Sequence, residues 1–343
     1  MKILHITDFH YRHESRLFYS SARKISNGLI KNNYFVSEIS ERDNSRNLLN
    51  YRNIDNIIKK SVHNLNPDLI IIAHSSKISL ETLQFIKKNN KHLKIIQWFV
   101  DSLTKNGPDF VHNCKTFMRY IEHLDHSFLT TAVDILNFDN KVKKKISYIP
   151  NPSDDSIDNL KLDQNNNQIF DLFFAMSHGQ HRGILKKNFI DSREFFLRKI
   201  IDKNPNIIFD LYGLNKENPI WGNNFFNKLS LSKMALNLSR GRSAKYYSSD
   251  RISSLIPNGI TTFIDRKTKL DDFFNDNEVV FYNNINDFSE SLNFLKNNDK
   301  KRKEIGRNGR LKYKKYFNNK TVTRFMVEKT FNIKFSENYY WLK

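Results

Sequence analysis

The stretch that decides the fold is residues 170–265. It opens on Phe170-Asp171-Leu172-Phe173-Phe174-Ala175-Met176 and passes through Ser177-His178-Gly179-Gln180-His181-Arg182-Gly183 and Lys186-Lys187. It closes on Met234-Ala235-Leu236-Asn237-Leu238-Ser239-Arg240, on Lys245-Tyr246-Tyr247-Ser248-Ser249-Asp250-Arg251, and on Ile260-Thr261-Thr262-Phe263-Ile264-Asp265. Short apolar runs without strict alternation suit strands buried on both faces, as in parallel sheets. Each run stops at small, polar or basic residues, and an open α/β sheet places its ligand outside the carboxyl ends of the strands. The spacing predicts strands at 170–176, 207–213, 234–238, 260–264 and 279–282, with helices at 192–202, 224–232 and 248–256. Pro257-Asn258-Gly259 is a stop signal for the last of these helices.

Upstream, the first 150 residues show the same alternation. Strands are expected at 2–8, 35–39, 67–74, 94–101 and 127–131, and helices at 20–31, 54–64, 80–89 and 110–123. Pro150-Asn151-Pro152 interrupts regular pairing, and 153–168 turns to Asp, Asn, Ser and Gln, the composition of a linker. Downstream, 287–331 reads as mostly helical. The expected organisation is an α/β chain of two Rossmann-like domains facing a cleft. Residues 1–152 form the first domain, 153–168 a linker and 169–318 the second domain, while a helical tail at 319–343 crosses back to the first. A chain of 343 residues is long enough for two such cores.

Bulk properties narrow the classes. The net charge is +20, with 23 Lys and Arg against 14 Asp and Glu in residues 1–150 and 33 against 22 in the rest. The excess is spread over the chain, as a general solvated surface would have it. An anionic membrane surface or a polyanionic acceptor is the next reading, and nucleic acid the weakest. The densest run, from Lys300 to Lys315, would surround a helix rather than line one face. Cys114 is the single cysteine, so there is no intramolecular disulfide and no multi-cysteine zinc site, and a cytoplasmic chain fits. No apolar run approaches the ~18 residues of a membrane span. The start, Met1-Lys2-Ile3-Leu4-His5-Ile6-Thr7-Asp8, reads as a first strand rather than a leader. Thr7-Asp8-Phe9-His10 stands where a dinucleotide-binding dehydrogenase carries Gly-x-Gly-x-x-Gly, which disfavours that class.

A set of short segments carries a family resemblance. Ile149-Pro150-Asn151-Pro152, Tyr212-Gly213, Leu236-Asn237-Leu238, Tyr246 to Asp250, and Asn258-Gly259 resemble, in order and spacing, the donor half of GT-B glycosyltransferases, in particular the spore-maturation-protein-like (glycosyl transferase family 1-like) branch. The resemblance implies transfer of a sugar from a nucleotide sugar to a glycan or lipid-linked saccharide in cell-surface polysaccharide synthesis. It implies a metal-independent reaction with no cofactor. Arg182 and Lys187 match the spacing of the Arg and Lys that hold the leaving phosphate in many GT-B enzymes, Tyr212-Gly213 lies at the nucleoside, and Asp250 takes the ribose hydroxyls. The family's Glu-x7-Glu pair reads here as Arg242 and Asp250, so an acid stands only at the second position.

The residues themselves fit an anionic ligand. Phosphate is held by cations and by N–H donors at helix starts, and Gly179 and Gly183 permit close backbone approach. His178, Arg240 and Lys245 add charge or hydrogen bonds around the same loops, and Tyr246 or Tyr247 offers a ring for stacking. In the first domain Asp8, His74 and Asp101 follow strand ends and are candidates for the base that deprotonates an acceptor hydroxyl. His10, Arg12 and Arg16 flank Asp8 on the expected acceptor side. A nucleotide-sugar epimerase and a non-catalytic nucleotide- or carbohydrate-binding protein stay open at this point. Peripheral attachment at the inner face of an anionic membrane is an expectation of the basic surface.

Overall fold

A computed structural model of the chain describes residues 1–45, 54–73, 77–105, 107–177, 191–214 and 216–342. It forms two compact units. One comprises Met1–Lys105, Asp109–Asp154 and residues 317–342, the other residues 107–108 and Asp155–Tyr316.

The first unit is built on a six-stranded sheet of β1 (Lys2–Thr7), β2 (Phe35–Ser40), β3 (Leu69–Ala73), β4 (Lys94–Phe99), β5 (His126–Leu129) and β6 (Ile146–Tyr148). The order is β2-β1-β3-β4-β5-β6 and every pairing is parallel. All five residues of β3 are buried, as expected of a central strand covered on both faces. One face packs Leu4, Ile6, Ile70, Ile72 and Ile95 against Ile58 and Val62 of the helix Ile54–Leu65 and Leu83 and Ile86 of the helix Leu80–Asn89. Each such side chain contributes about 1.5–3 kcal/mol by leaving water. On the other face the buried His5 meets Ser26 Oγ through Nδ1 at 2.8 Å and accepts a hydrogen bond from Trp98 Nε1 at Nε2, 3.1 Å away. Burial and the charge of Arg23 lower the His5 pKa to about 3, so the ring stays neutral.

The helix Ser21–Lys31 is capped by Ser20, whose hydroxyl accepts the Arg23 N–H. It lies against the C-terminal helix Asn319–Phe331, and Gly28 makes that approach possible. A Cβ at Gly28 would stand 2.3 Å from the Asn319 carbonyl oxygen. Phe128, Phe325, Tyr339 and Trp341 close the packing around this helix.

The second unit holds a five-stranded parallel sheet of β7 (Phe170–Ala175), β8 (Phe209–Tyr212), β9 (Ser232–Asn237), β10 (Thr261–Asp265) and β11 (Val280–Tyr282), ordered β11-β10-β9-β7-β8. Leu172, Phe174, Met234, Leu236 and Phe263 pack with Leu197 and Ile200 of the helix Ser192–Lys203 and Phe288 and Leu292 of the helix Ile285–Lys296. The stretch 153–168 is polar in composition but well packed. Asp154 accepts hydrogen bonds from Asn27 and Lys31 within the first unit. Within the second, Asp163 receives a two-pronged pair from Arg310 at 2.7 Å each.

One expected element differs. The helix predicted over 248–256 is only Ile252–Leu255, followed by a single 3-10 turn at Ile256–Asn258. Ser248 and Ser249 are engaged elsewhere. The Ser248 hydroxyl bonds Asn237, and the Ser249 N–H donates to Ser239 Oγ at 2.9 Å. Such side-chain and backbone bonds compete with helix formation. The run 300–315 falls on the helix Asp299–Tyr316, where Lys301, Arg302, Lys303, Arg310, Lys312 and Lys314 each pair with a carboxylate. Part of its charge is thereby offset within the unit.

Candidate functional site

In both sheets the strand order reverses beside the first strand of the unit, between β1 and β3 in one and between β7 and β9 in the other. Chain connections leave to opposite sides at such a point and open a crevice at the carboxyl ends of the strands.

At the exits of β7 and β9 a guanidinium holds the two strands. Arg251 Nε donates to the Ala175 carbonyl at 3.0 Å, and Nη1 donates to the Leu238 carbonyl at 3.0 Å and to Ser249 Oγ at 3.1 Å. The same group lies 4.9 Å over the Phe174 ring. Gly213 bounds the exit of β7 from the other side. Its φ of +79° and a virtual Cβ only 2.0 Å from the Met176 carbonyl oxygen leave room for no side chain. Behind the crevice, Asp191 caps the helix Ser192–Lys203 and binds Arg193 through both oxygens at 2.8 Å. Burial alone would raise the Asp191 carboxyl, but the Arg193 bonds and the charges of Arg193 and Arg240 hold it below its usual range.

The remaining donor-side candidates are scattered around these exits. Lys228 lies 5.8 Å from the Tyr212 ring. Burial, then Asp210, raises the Tyr212 hydroxyl pKa. Tyr246 has a left-handed backbone (φ 61°), donates its hydroxyl to Asp272 at 2.6 Å and packs 4.5 Å from Phe273. Lys245 Nζ sits 5.1 Å over the Tyr246 ring. Tyr247 is buried. Asp250 is exposed and lies in the turn ahead of the short helix rather than inside it; its carbonyl accepts the Ser253 N–H and hydroxyl. Arg242 is also exposed. His178, Arg182, Lys187 and His74 lie outside the described residues.

The exit of β1 is arranged differently. Asp8 is 5% exposed and takes a two-pronged pair from Arg12 at 2.7 and 2.8 Å and the backbone N–H of His10 at 3.0 Å, while His10 Nδ1 lies 3.2 Å from its Oδ2. Arg12 also reaches Asp43 at 2.8 Å. Burial raises the Asp8 carboxyl, yet the Arg12 pair and His10 outweigh it and hold its pKa below the usual range. A carboxylate so engaged is a poor proton acceptor and a good orienter. The His10 ring lies beside this carboxylate, in a segment where His10, Glu14 and Ser15 all have positive φ. Arg16 Nη2 lies 3.4 Å from His13 Nδ1. Asp101 sits two residues past β4, beside Ser102, whose carbonyl accepts the Asn113 amide at 3.1 Å.

Sequence reasoning missed Arg251 and Asp43. The i,i+4 spacing of Asp8 and Arg12 was a signal that could have been read. Nothing local pairs Asp43 with Arg12 or distinguishes Arg251 from a solvated arginine.

Comparison with known proteins agrees with this architecture. Residues 192–328 match a family model described as "Glycosyl transferase-like". No curated protein sequence matches the chain. Among solved structures, Anabaena Alr3699/HepE in complex with UDP is similar at 9% identity and a TM-score of 0.56, covering 97% of this chain and 100% of its own. An alpha-glucosyltransferase in complex with UDP and a 13-mer DNA is similar at 10% identity and a TM-score of 0.63, covering 96% and 100%. The sucrose-phosphate synthase of Thermosynechococcus elongatus is similar at 8% identity and a TM-score of 0.59, covering 97% and 99%. The fold is that of the GT-B glycosyltransferases, with a helical C-terminal region. Among the described residues no helix is long and apolar enough to cross a membrane.

Proposed function

We propose that the protein is a glycosyltransferase that moves a sugar from a nucleotide sugar to a saccharide or lipid-linked acceptor. The observation that carries this reading is a coincidence of place: the glycosyl transferase-like match begins at the helix Ser192–Lys203 and takes in β8 to β11, so that it contains β9 and the segment with Arg240 and Arg251, with β7 just ahead of it. The exits of β7 and β9 there gather Gly213, Arg240 and Arg251. The segments Leu236-Asn237-Leu238 and Asn258-Gly259 support placement in the spore-maturation-protein-like branch, and the basic surface suits an acidic or lipid-linked acceptor at a cytoplasmic membrane face.

In the reaction the acceptor oxygen forms a bond to the anomeric carbon while the bond from that carbon to the phosphate oxygen breaks. The acceptor proton passes to a first-unit base, for which His10 is the proposed group, with the Asp8 carboxylate 3.2 Å from its Nδ1 to offset the imidazolium charge. The nucleotide leaves as an anion stabilised by cationic side chains, for which Arg240, Arg182 and Lys187 are the proposed residues, in place of a divalent ion. Asp250 is the acid offered to the ribose. Arg242 in place of the first Glu of the family pair favours a second reading, a binder without turnover.

Turnover decides between the two. Incubating the protein with UDP-, GDP-, ADP- and CMP-linked sugars and quantifying free nucleotide by chromatography should show release from one donor class. Tight donor binding with no release would establish the binding protein instead.

A further inference from the structure

We propose that Arg251 is the positioning residue of the donor crevice, setting donor affinity by fixing the exits of β7 and β9 without serving as a ligand of the phosphate. This inference rests on the glycosyltransferase reading of the same site.

β7 and β9 pair in register as far as Phe173 and Ala235. Beyond that point the Ala175 and Leu238 carbonyls both turn to the guanidinium, which supplies the donors that buried backbone oxygens need. The third bond, to Ser249 Oγ, ties in the loop that carries Asp250, and Ser249 is itself anchored to Ser239. One side chain therefore sets the spacing of three segments that meet at the crevice. The planar fork is what permits this. Its donors diverge in one plane while its face rests on Phe174, whereas a lysine offers one compact ammonium on a flexible stem.

The test uses the full chain with Arg251→Lys, Arg251→Gln and the milder Ser249→Ala. Titration calorimetry with UDP, GDP, ADP and CMP gives nucleotide affinity, and initial rates give separate KM values for donor and acceptor. The expected result is a roughly tenfold weaker nucleotide affinity in Arg251→Lys, close to that of Arg251→Gln. The donor KM should rise with the acceptor KM unchanged, and Ser249→Ala should show a smaller loss in the same direction. A residue that only supports folding would lower the amount of active protein and leave both KM values alone. Wild-type affinity in Arg251→Lys overturns the inference; should the arginine variants not fold, wild-type affinity in Ser249→Ala does so. A wild-type chain that binds none of the four nucleotides refutes the donor-site reading itself, which is a different failure.

Discussion

The exit of β1 and the exits of β7 and β9 occupy equivalent places in two parallel sheets, yet they are held in opposite ways. At β1, acid and base neutralise each other: Arg12 lies between Asp8 and Asp43, and the His10 ring stands beside Asp8. At β7 and β9 the arginine is held by carbonyls, a hydroxyl and a ring. A cation locked between two carboxylates has its field offset and serves geometry, whereas a guanidinium that donates to carbonyls of two strands ties their exits together. The first arrangement orders a loop after one strand, the second sets the spacing between strands.

The largest effect that separates the two is on turnover. His10→Ala should lower kcat by roughly 10²–10⁴-fold while nucleotide affinity, measured by calorimetry, stays at the wild-type value. A parallel loss of affinity would break the division of labour between the regions.

A smaller effect comes from acid. His5 and His126 both lie in the first unit and are held neutral, with pKa values lowered from 6.5 to about 3 and about 4, chiefly by burial. The unfolded chain protonates them near pH 6.5 while the fold does not, so the unfolded state binds more protons. Their stabilisation is complete above that pH and declines as pH falls toward the folded values. Each contributes roughly 1.4 kcal/mol per pH unit, so about 3 kcal/mol should be gone by pH 5.5. Denaturant melts followed at Trp98, which touches His5, should show the loss. An unchanged midpoint between pH 7.5 and 5.5 would contradict it.

The sheets were legible because their strands are unbroken apolar runs that end at polar residues. Leu69–Ala73 and Phe170–Ala175 could be read directly, and the polar or small residues Asp8, Gly213 and Arg240 do follow the ends of β1, β8 and β9. Less legible was whatever depended on a distant partner. The Asp163–Arg310 pair spans 147 positions, so a polar run that reads as linker is in fact packed. The helix expected at 248–256 lost its first turn to Asn237 and Ser239, which no local propensity reveals. Tyr246 offered an aromatic ring in a polar loop, but its hydroxyl bond to Asp272 turns that ring toward Phe273.

The central claim is that the second unit binds the phosphate of a nucleotide sugar at its strand exits. Thermal unfolding with saturating UDP, GDP, ADP or CMP, or one of their sugars, tests it most directly. One nucleotide class should raise the melting temperature by roughly 5 °C at 100 times its Kd, and Arg182→Ala should abolish the shift. No shift with any of them would contradict the account.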